Sequence, residues 1–199
     1  MIRLPAVLLC MLSLLTAAPA PIKYSADANH STVGFSIPIL NGVSKVRGKF
    51  TNFTVSLEYD EANIANSSVN VIIKTASIDT GIEARDKHLR TEDFFDVEKY
   101  PEITFKSKRV EKKGKHFLVT GDLSMHGVTK ELAIPFMVSG RYVNAANQQA
   151  MVGFLANLSL NRRDYGMIWK HSAIPNFVGD IVHIDLAVLV RADMPKKPA

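Results

Sequence analysis

Leu132-Ala-Ile-Pro-Phe-Met-Val138 puts a large apolar side chain at every second position, and Phe154-Leu-Ala-Asn-Leu-Ser-Leu160 repeats the pattern. A strand sends successive side chains to opposite faces, so such alternation marks a half-buried β-strand. Working outward, the same period appears at Val33/Phe35/Ile37, Phe53/Val55/Leu57/Tyr59, Val69/Val71/Ile73, Ile103/Phe105 and Phe117/Val119 leading to Leu123. A last run, Asp180–Arg191, is apolar on both faces in its middle, Leu186 to Val190. Turn residues punctuate the runs at Asn41-Gly42, Asp60-Glu61, Lys113-Gly114, His126-Gly127, Ser139-Gly140 and Gly179-Asp180. Strands at this spacing, with no alternating helices, predict an all-β sandwich or antiparallel barrel of about eight strands.

Two segments break the alternation. Ile82–Phe95 carries Arg85, Asp86, Lys87, His88, Leu89, Arg90, Glu92 and Asp93, a composition that favours a short helix with Asp79 or Thr80 as its cap. Asn161–Pro175 carries Arg162, Arg163, Asp164, Tyr165, Gly166, Trp169 and His171, and reads as a loop or a turn of helix. One or two short helices are therefore expected.

The ends are of a different character. Arg3 is the only charge before Lys23; between them lie the apolar run Leu4–Leu15 and the small residues Thr16-Ala-Ala-Pro-Ala20. That order describes a secretory signal peptide over residues 1–20, cut after Ala17 or Ala20, with an uncleaved anchor as the alternative. A periplasmic or secreted protein is expected, with the globular domain at residues 21–193 and a loose tail at 194–199. Cys10 is the only cysteine, so removal of the signal leaves neither disulfide nor thiolate ligand.

The chain has 199 residues, is 47% hydrophobic and has a formal net charge of +5. This suits one domain with a sizeable core. Basic residues cluster at Lys106–Lys115 and at Lys196-Lys197 but are otherwise interleaved with acids, which argues against a nucleic-acid partner and allows a transient contact with an anionic membrane surface. The six histidines, His30, His88, His116, His126, His171 and His183, show no i, i+2 or i, i+4 pair, so no metal site is expected. No Gly-x-Ser-x-Gly elbow, P-loop or dinucleotide fingerprint occurs, so neither an enzyme nor a cofactor is expected. Arg85, Asp86, His88, Arg162 and Asp164 are read as one polar network bracing the two irregular segments. The rival is an acid–base or metal-dependent enzyme built around His88. A barrel of about eight strands is either filled by side chains or holds one ligand, and alternation alone leaves both open.

A longer pattern narrows this. Ser77-Ile-Asp-Thr-Gly81, Arg85-Asp86, His88-Leu89, Asp93-Phe-Phe-Asp96, Tyr100-Pro101 and Ile103-Thr-Phe105 closely resemble the signature of the YceI-like, polyisoprenoid-binding family. So do Val119-Thr-Gly-Asp-Leu123 with His126-Gly-Val-Thr129, Asn29–Phe35, Val46-Arg-Gly-Lys-Phe50, Arg162 with Asp164-Tyr-Gly166, and Val178-Gly-Asp180. The resemblance runs from about Tyr24 to Val190. Departures fall at Pro38-Ile-Leu40, where the family often has a basic or histidine residue, and near Thr54, where it often has glycine.

The resemblance implies a lipocalin-like extended antiparallel barrel around a long tunnel. It implies a long-chain isoprenoid, quinone-like or fatty-acyl lipid there, and an exported, non-enzymatic storage or transport protein. Phe35, Phe53, Ile73, Leu89, Phe94, Phe105, Phe136, Phe154, Tyr165 and Trp169 are the residues expected on the tunnel wall. The alternative is a filled barrel serving as a stress or membrane-redox accessory protein. A closed barrel offers no free edge for pairing, so monomer or dimer rests on the loops.

Overall fold

The computed structural model describes residues 21–194. The expected signal peptide and the end of the tail, 195–199, lie outside them. Eleven strands form one antiparallel sheet: β1 (Ile22–Ala26), β2 (Thr32–Ile39), β3 (Ser44–Phe50), β4 (Phe53–Tyr59), β5 (Ser68–Lys74), β6 (Ile78–Asp79), β7 (Glu102–Lys113), β8 (His116–Met125), β9 (Val128–Val143), β10 (Ala150–Asn161) and β11 (Ile181–Ala192). One α-helix, α1 (Glu83–Leu89), lies between β6 and β7.

The sheet order β1-β4-β5-β7-β8-β9-β10-β11 closes on itself through β1–β11, giving an eight-stranded barrel. β2, β3 and β6 continue β1, β4 and β5 past short breaks. β11 pairs with β1 at Val190–Ala192 and with β2 at His183–Ala187. β2 pairs with β3, and β3 with β6 at Lys49↔Asp79 and Phe50↔Ile78. The chain thus runs up and down eight long staves, three of them bent. Every alternating run of the sequence is the main part of one stave.

The connections sort to two ends. The hairpins after β4, β7 and β9 lie with the N-terminus of β1 at one end. The β2–β3 turn, the α1 segment, the His126-Gly127 turn and the 162–180 segment lie at the other, here called the helix end. There the amide N–H of Leu40 donates to the Phe177 carbonyl at 2.9 Å, which ties two of these loops together.

Alternation placed the inward faces correctly. The two-faced character of β11 has a local cause. Its outward Leu189 is covered by the 27–31 segment, where Asp27 donates its N–H to the Leu189 carbonyl and the Ser31 hydroxyl accepts from the Leu189 N–H. Two turn-level expectations are corrected. Ser139-Gly140 is no turn but a bulge inside β9: Gly153 faces Gly140, Phe154 faces Val138, and Ser139 is the extra residue. The turn itself falls at 144–149. Neither Asp79 nor Thr80 caps α1. Ile82 holds that position, and the Asp79 carboxylate accepts from the Gly81 N–H instead. A second bulge, at Lys108 in β7, lies opposite Gly121, where a Cβ would stand 2.3 Å from the Lys106 carbonyl oxygen.

The β4–β5 connection is built on Asp60. Its carboxylate accepts from the Asn63 N–H and the Asn66 amide, both at 2.8 Å. The Asn66 hydrogen bond, then that of Asn63, holds this carboxyl below its ordinary 3.8. A depressed carboxyl stabilises the fold above its unfolded pKa, and that contribution fades as pH falls through the folded value. The thermal midpoint of the wild type should exceed that of Asp60→Asn at neutral pH. The gap should close on acidification below about pH 4; a gap independent of pH would contradict this role.

Candidate functional site

The barrel is not filled. Inward side chains of β4, β7 and β8, among them Val55, Ile103, Phe105, Val110, Val119 and Leu123, are buried and form one wall of the interior. Their counterparts on β9, β10 and β11, such as Ile134, Phe136, Leu158, Leu160, Ile184 and Leu186, remain partly accessible although they point inward. They face a cavity of about 450 Å³ whose wall is almost wholly apolar. Ligand sites commonly occupy 300–1,000 Å³.

The hairpin end is plugged by aromatic rings stepping across the barrel. Phe117 stacks on Phe136 at 5.3 Å, Phe136 meets Phe154 at 6.0 Å, Phe154 meets Tyr59 at 5.7 Å, and Tyr59 meets Tyr24 at 6.1 Å. Tyr24, Tyr59, Val152 and Val190 form a small second core there. The helix end is looser. Trp169 packs against Phe94 at 5.2 Å and His88 at 5.3 Å, and His171 packs against Phe177 at 4.8 Å. The His88 side chain lies on the cavity wall yet is 43% exposed, so the cavity approaches solvent at this end.

Of the expected wall residues, Phe35, Ile73, Leu89, Phe94, Phe105, Phe136, Phe154 and Trp169 line the cavity. Phe53 and Tyr165 do not, which corrects the expectation. Phe53 is buried in the main core beside the β3–β4 break. Tyr165 is packed at the base of the 162–180 segment, where its carbonyl bonds to His126 Nδ1 at 3.0 Å. Much of the wall comes from aliphatic residues of β5 and β9–β11 that were not singled out, Val71, Leu132, Leu160, Ile184 and Val188 among them. Their signal was the same alternation that fixed the strands.

The expected single polar network is four separate clusters. Asp86, 4% exposed, accepts from the Thr80 N–H at 2.9 Å and from the Thr80 hydroxyl; Arg85 Nε donates to that hydroxyl oxygen at 2.7 Å and Nη2 to the Thr80 carbonyl at 2.8 Å. His88 Nε2 pairs with Asp93 at 2.8 Å. Arg162, also 4% exposed, donates to the carbonyls of Gly179, Met167 and Trp169 and to the Asp180 carboxylate at 3.1 Å. Burial lowers its pKa from the ordinary value, with Asp180 opposing that shift. Asp164 stands outside, 3.7 Å from Lys130. The groups separate because α1 turns Asp86 and His88 to different sides, and because Arg162 finds enough acceptors within its own loop.

Arg162 is therefore a clamp on the 162–180 segment. Arg85, His88 and Arg162 all reach the cavity wall; no Asp or Glu does among the described residues. No group of three or more His, Cys, Asp or Glu among the described residues is placed to hold a metal ion.

The YceI-like domain matches residues 24–190. A UPF0312 protein of Photorhabdus laumondii is 44% identical over 62% of this chain and 64% of its own length, so the chain spans somewhat under two thirds of that relative. Protein YceI of Escherichia coli O157:H7 is 40% identical over 66% of this chain and 68% of its own. Among solved structures, BcnA of Burkholderia cenocepacia superposes with a TM-score of 0.73 at 24% identity, covering 82% of this chain and 98% of BcnA. A polyisoprenoid binding domain from Saccharophagus degradans superposes at 0.63 and 20% identity, covering 86% and 99%; at such identities the likeness is one of fold. None of these relatives is named as an enzyme. With the domain match spanning nearly all the described residues, the chain belongs to the YceI-like family.

Proposed function

We propose that this protein binds, stores or carries a long-chain amphipathic lipid of isoprenoid, quinone-like or fatty-acyl type in its barrel, without catalysis. The observation that carries the reading is the hollow apolar interior, about 450 Å³ lined by inward side chains that a filled barrel would bury completely. The polyisoprenoid binding named for the Saccharophagus degradans domain supports the same class of ligand. Each buried methylene contributes about 0.8 kcal/mol, so a chain gains affinity without polar contacts.

Delipidated protein titrated with homologous fatty acids should gain about fourfold in affinity per added methylene until the cavity is full. Leu158→Trp, which places an indole in the cavity, should weaken binding of the longest chains at least tenfold while the protein stays folded. Affinity independent of chain length and of Leu158→Trp would contradict the reading.

The charged, apolar and small-residue order of residues 1–20 supports a periplasmic or secreted location. A lipid carrier must also meet the membrane that supplies its cargo, and the helix end is suited to it. Val43 is 84% and Ile168 65% exposed there, with Leu40, Ile82 and Ile174 also exposed and Lys45 and Lys170 beside them. Apolar tips flanked by lysines fit an anionic lipid surface. The protein should co-sediment with phosphatidylglycerol-rich vesicles at low salt, and Val43→Ser with Ile168→Ser should abolish it. Wild-type protein left in the supernatant would refute the docking surface.

A further inference from the structure

The cavity is chemically asymmetric along its length. At the hairpin end its polar wall groups are neutral hydroxyls: Tyr59, whose oxygen accepts from Arg141 at 3.0 Å, and Ser67, whose oxygen accepts from the Asp60 N–H at 2.9 Å. At the helix end they are Arg85, His88 and Arg162. Two of these have carboxylate partners, Asp180 for Arg162 and Asp93 for His88. Arg85 has none within 4.0 Å among the described residues.

Arg85 is nonetheless held in place. Its Nε and Nη2 donate to Thr80, and the Thr80 hydroxyl in turn donates to the buried Asp86 carboxylate. This arrangement aligns the guanidinium and leaves its Nη1 N–H groups without a protein acceptor among the described residues. A guanidinium keeps its charge at any physiological pH and favours planar, two-point contact with carboxylate or phosphate oxygens. An oriented cation with no carboxylate in direct contact, beside a low-dielectric cavity, creates a favourable potential for one anion.

We propose that Arg85 is the head-group site: the ligand enters tail-first toward the Tyr59 end and presents an anionic head, a phosphate or a carboxylate, to the Arg85 guanidinium. Thr80 and Asp86 are positioning residues for that contact. This rests on the lipid-binding reading above and adds to it the polarity of the ligand and its orientation. Charge-assisted hydrogen bonds are the stronger kind, so a matched head should raise affinity about ten- to hundredfold over a neutral one.

The test compares acid and alcohol pairs of equal chain length on delipidated protein, palmitate against hexadecanol and farnesyl phosphate against farnesol. The wild type should prefer the anionic member of at least one pair by tenfold or more, with the preference shrinking in high salt. The pair with the larger preference tells a carboxylate from a phosphate head. Arg85→Met should bring the acid-to-alcohol affinity ratio to about one, and an unchanged thermal midpoint and far-UV spectrum show that the variant is folded. Arg85→Lys should keep part of it. Equal wild-type affinity for acid and alcohol would overturn the head-group site and leave the lipid carrier standing. A preference that survives Arg85→Met would overturn the assignment to Arg85. Failure of every lipid to bind would overturn the carrier reading and this site with it.

Discussion

The structure depends on one seam. β11 pairs with β10 from Met151↔Arg191 to Asn161↔Ile181 on one edge, and on the other edge first with β2 and then with β1. Backbone N–H and C=O groups inside a barrel must find partners, and closing the sheet satisfies them while removing the exposed edge. The first stave breaks between β1 and β2 at the Ala28–His30 turn, so β11 meets it as two halves. Asp27 stitches that break to β11, accepting from Arg191 Nε at 2.7 Å, and Arg191 together with His30 keeps its carboxyl below the ordinary value. Closure fixes the circumference, and the circumference decides whether the inward side chains meet. They are packed more tightly on the β4, β7 and β8 side than on the β9 to β11 side, and the cavity lies between the two walls.

That division leaves room for the proposed lipid at low structural cost. The packed side and the aromatic plug from Phe117 to Tyr24 carry the fold's stability, so the other wall need not be filled. Polar groups are confined to the ends, where hydrogen bonds satisfy them without crossing the apolar middle. Arg162 shows the structural use of a buried cation, with three carbonyls and a carboxylate closing its loop. Arg85 shows the other use, a cation anchored from behind and open in front.

Alternation made most of the fold legible. Each stave was visible through its longest regular part, and the faces followed from the period of two. What alternation missed were short or glycine-bearing pieces. β6 is too short to show a period, and in β3 the inward position between Val46 and Phe50 is Gly48, where a Cβ would stand 2.5 Å from the Phe35 ring. Ser139-Gly140 looked like a turn because glycine marks bulges and turns alike. The cavity residues Phe136 and Phe154 were readable because they lie on the apolar face of their alternating runs, the face a barrel turns inward. Phe53 and Tyr165 are buried in the main core as well, but whether a core residue meets a void or a neighbour depends on packing between segments distant in sequence. The polar residues were identified correctly by type and grouped wrongly. Their shared placement on the two irregular segments suggested one network, whereas Arg162 and Asp180 find each other across their own loop and Asp164 turns outward to Lys130.

The central claim is a barrel built hollow in order to hold a lipid. Its most direct test is native mass spectrometry of protein purified from its own cells, with organic extraction of whatever is bound. The account predicts a mature chain lacking residues 1–17 or 1–20 and carrying one long-chain lipid per barrel, released on denaturation. A chain that emerges empty, and stays empty after incubation with prenyl, quinone and fatty-acyl lipids, would contradict it.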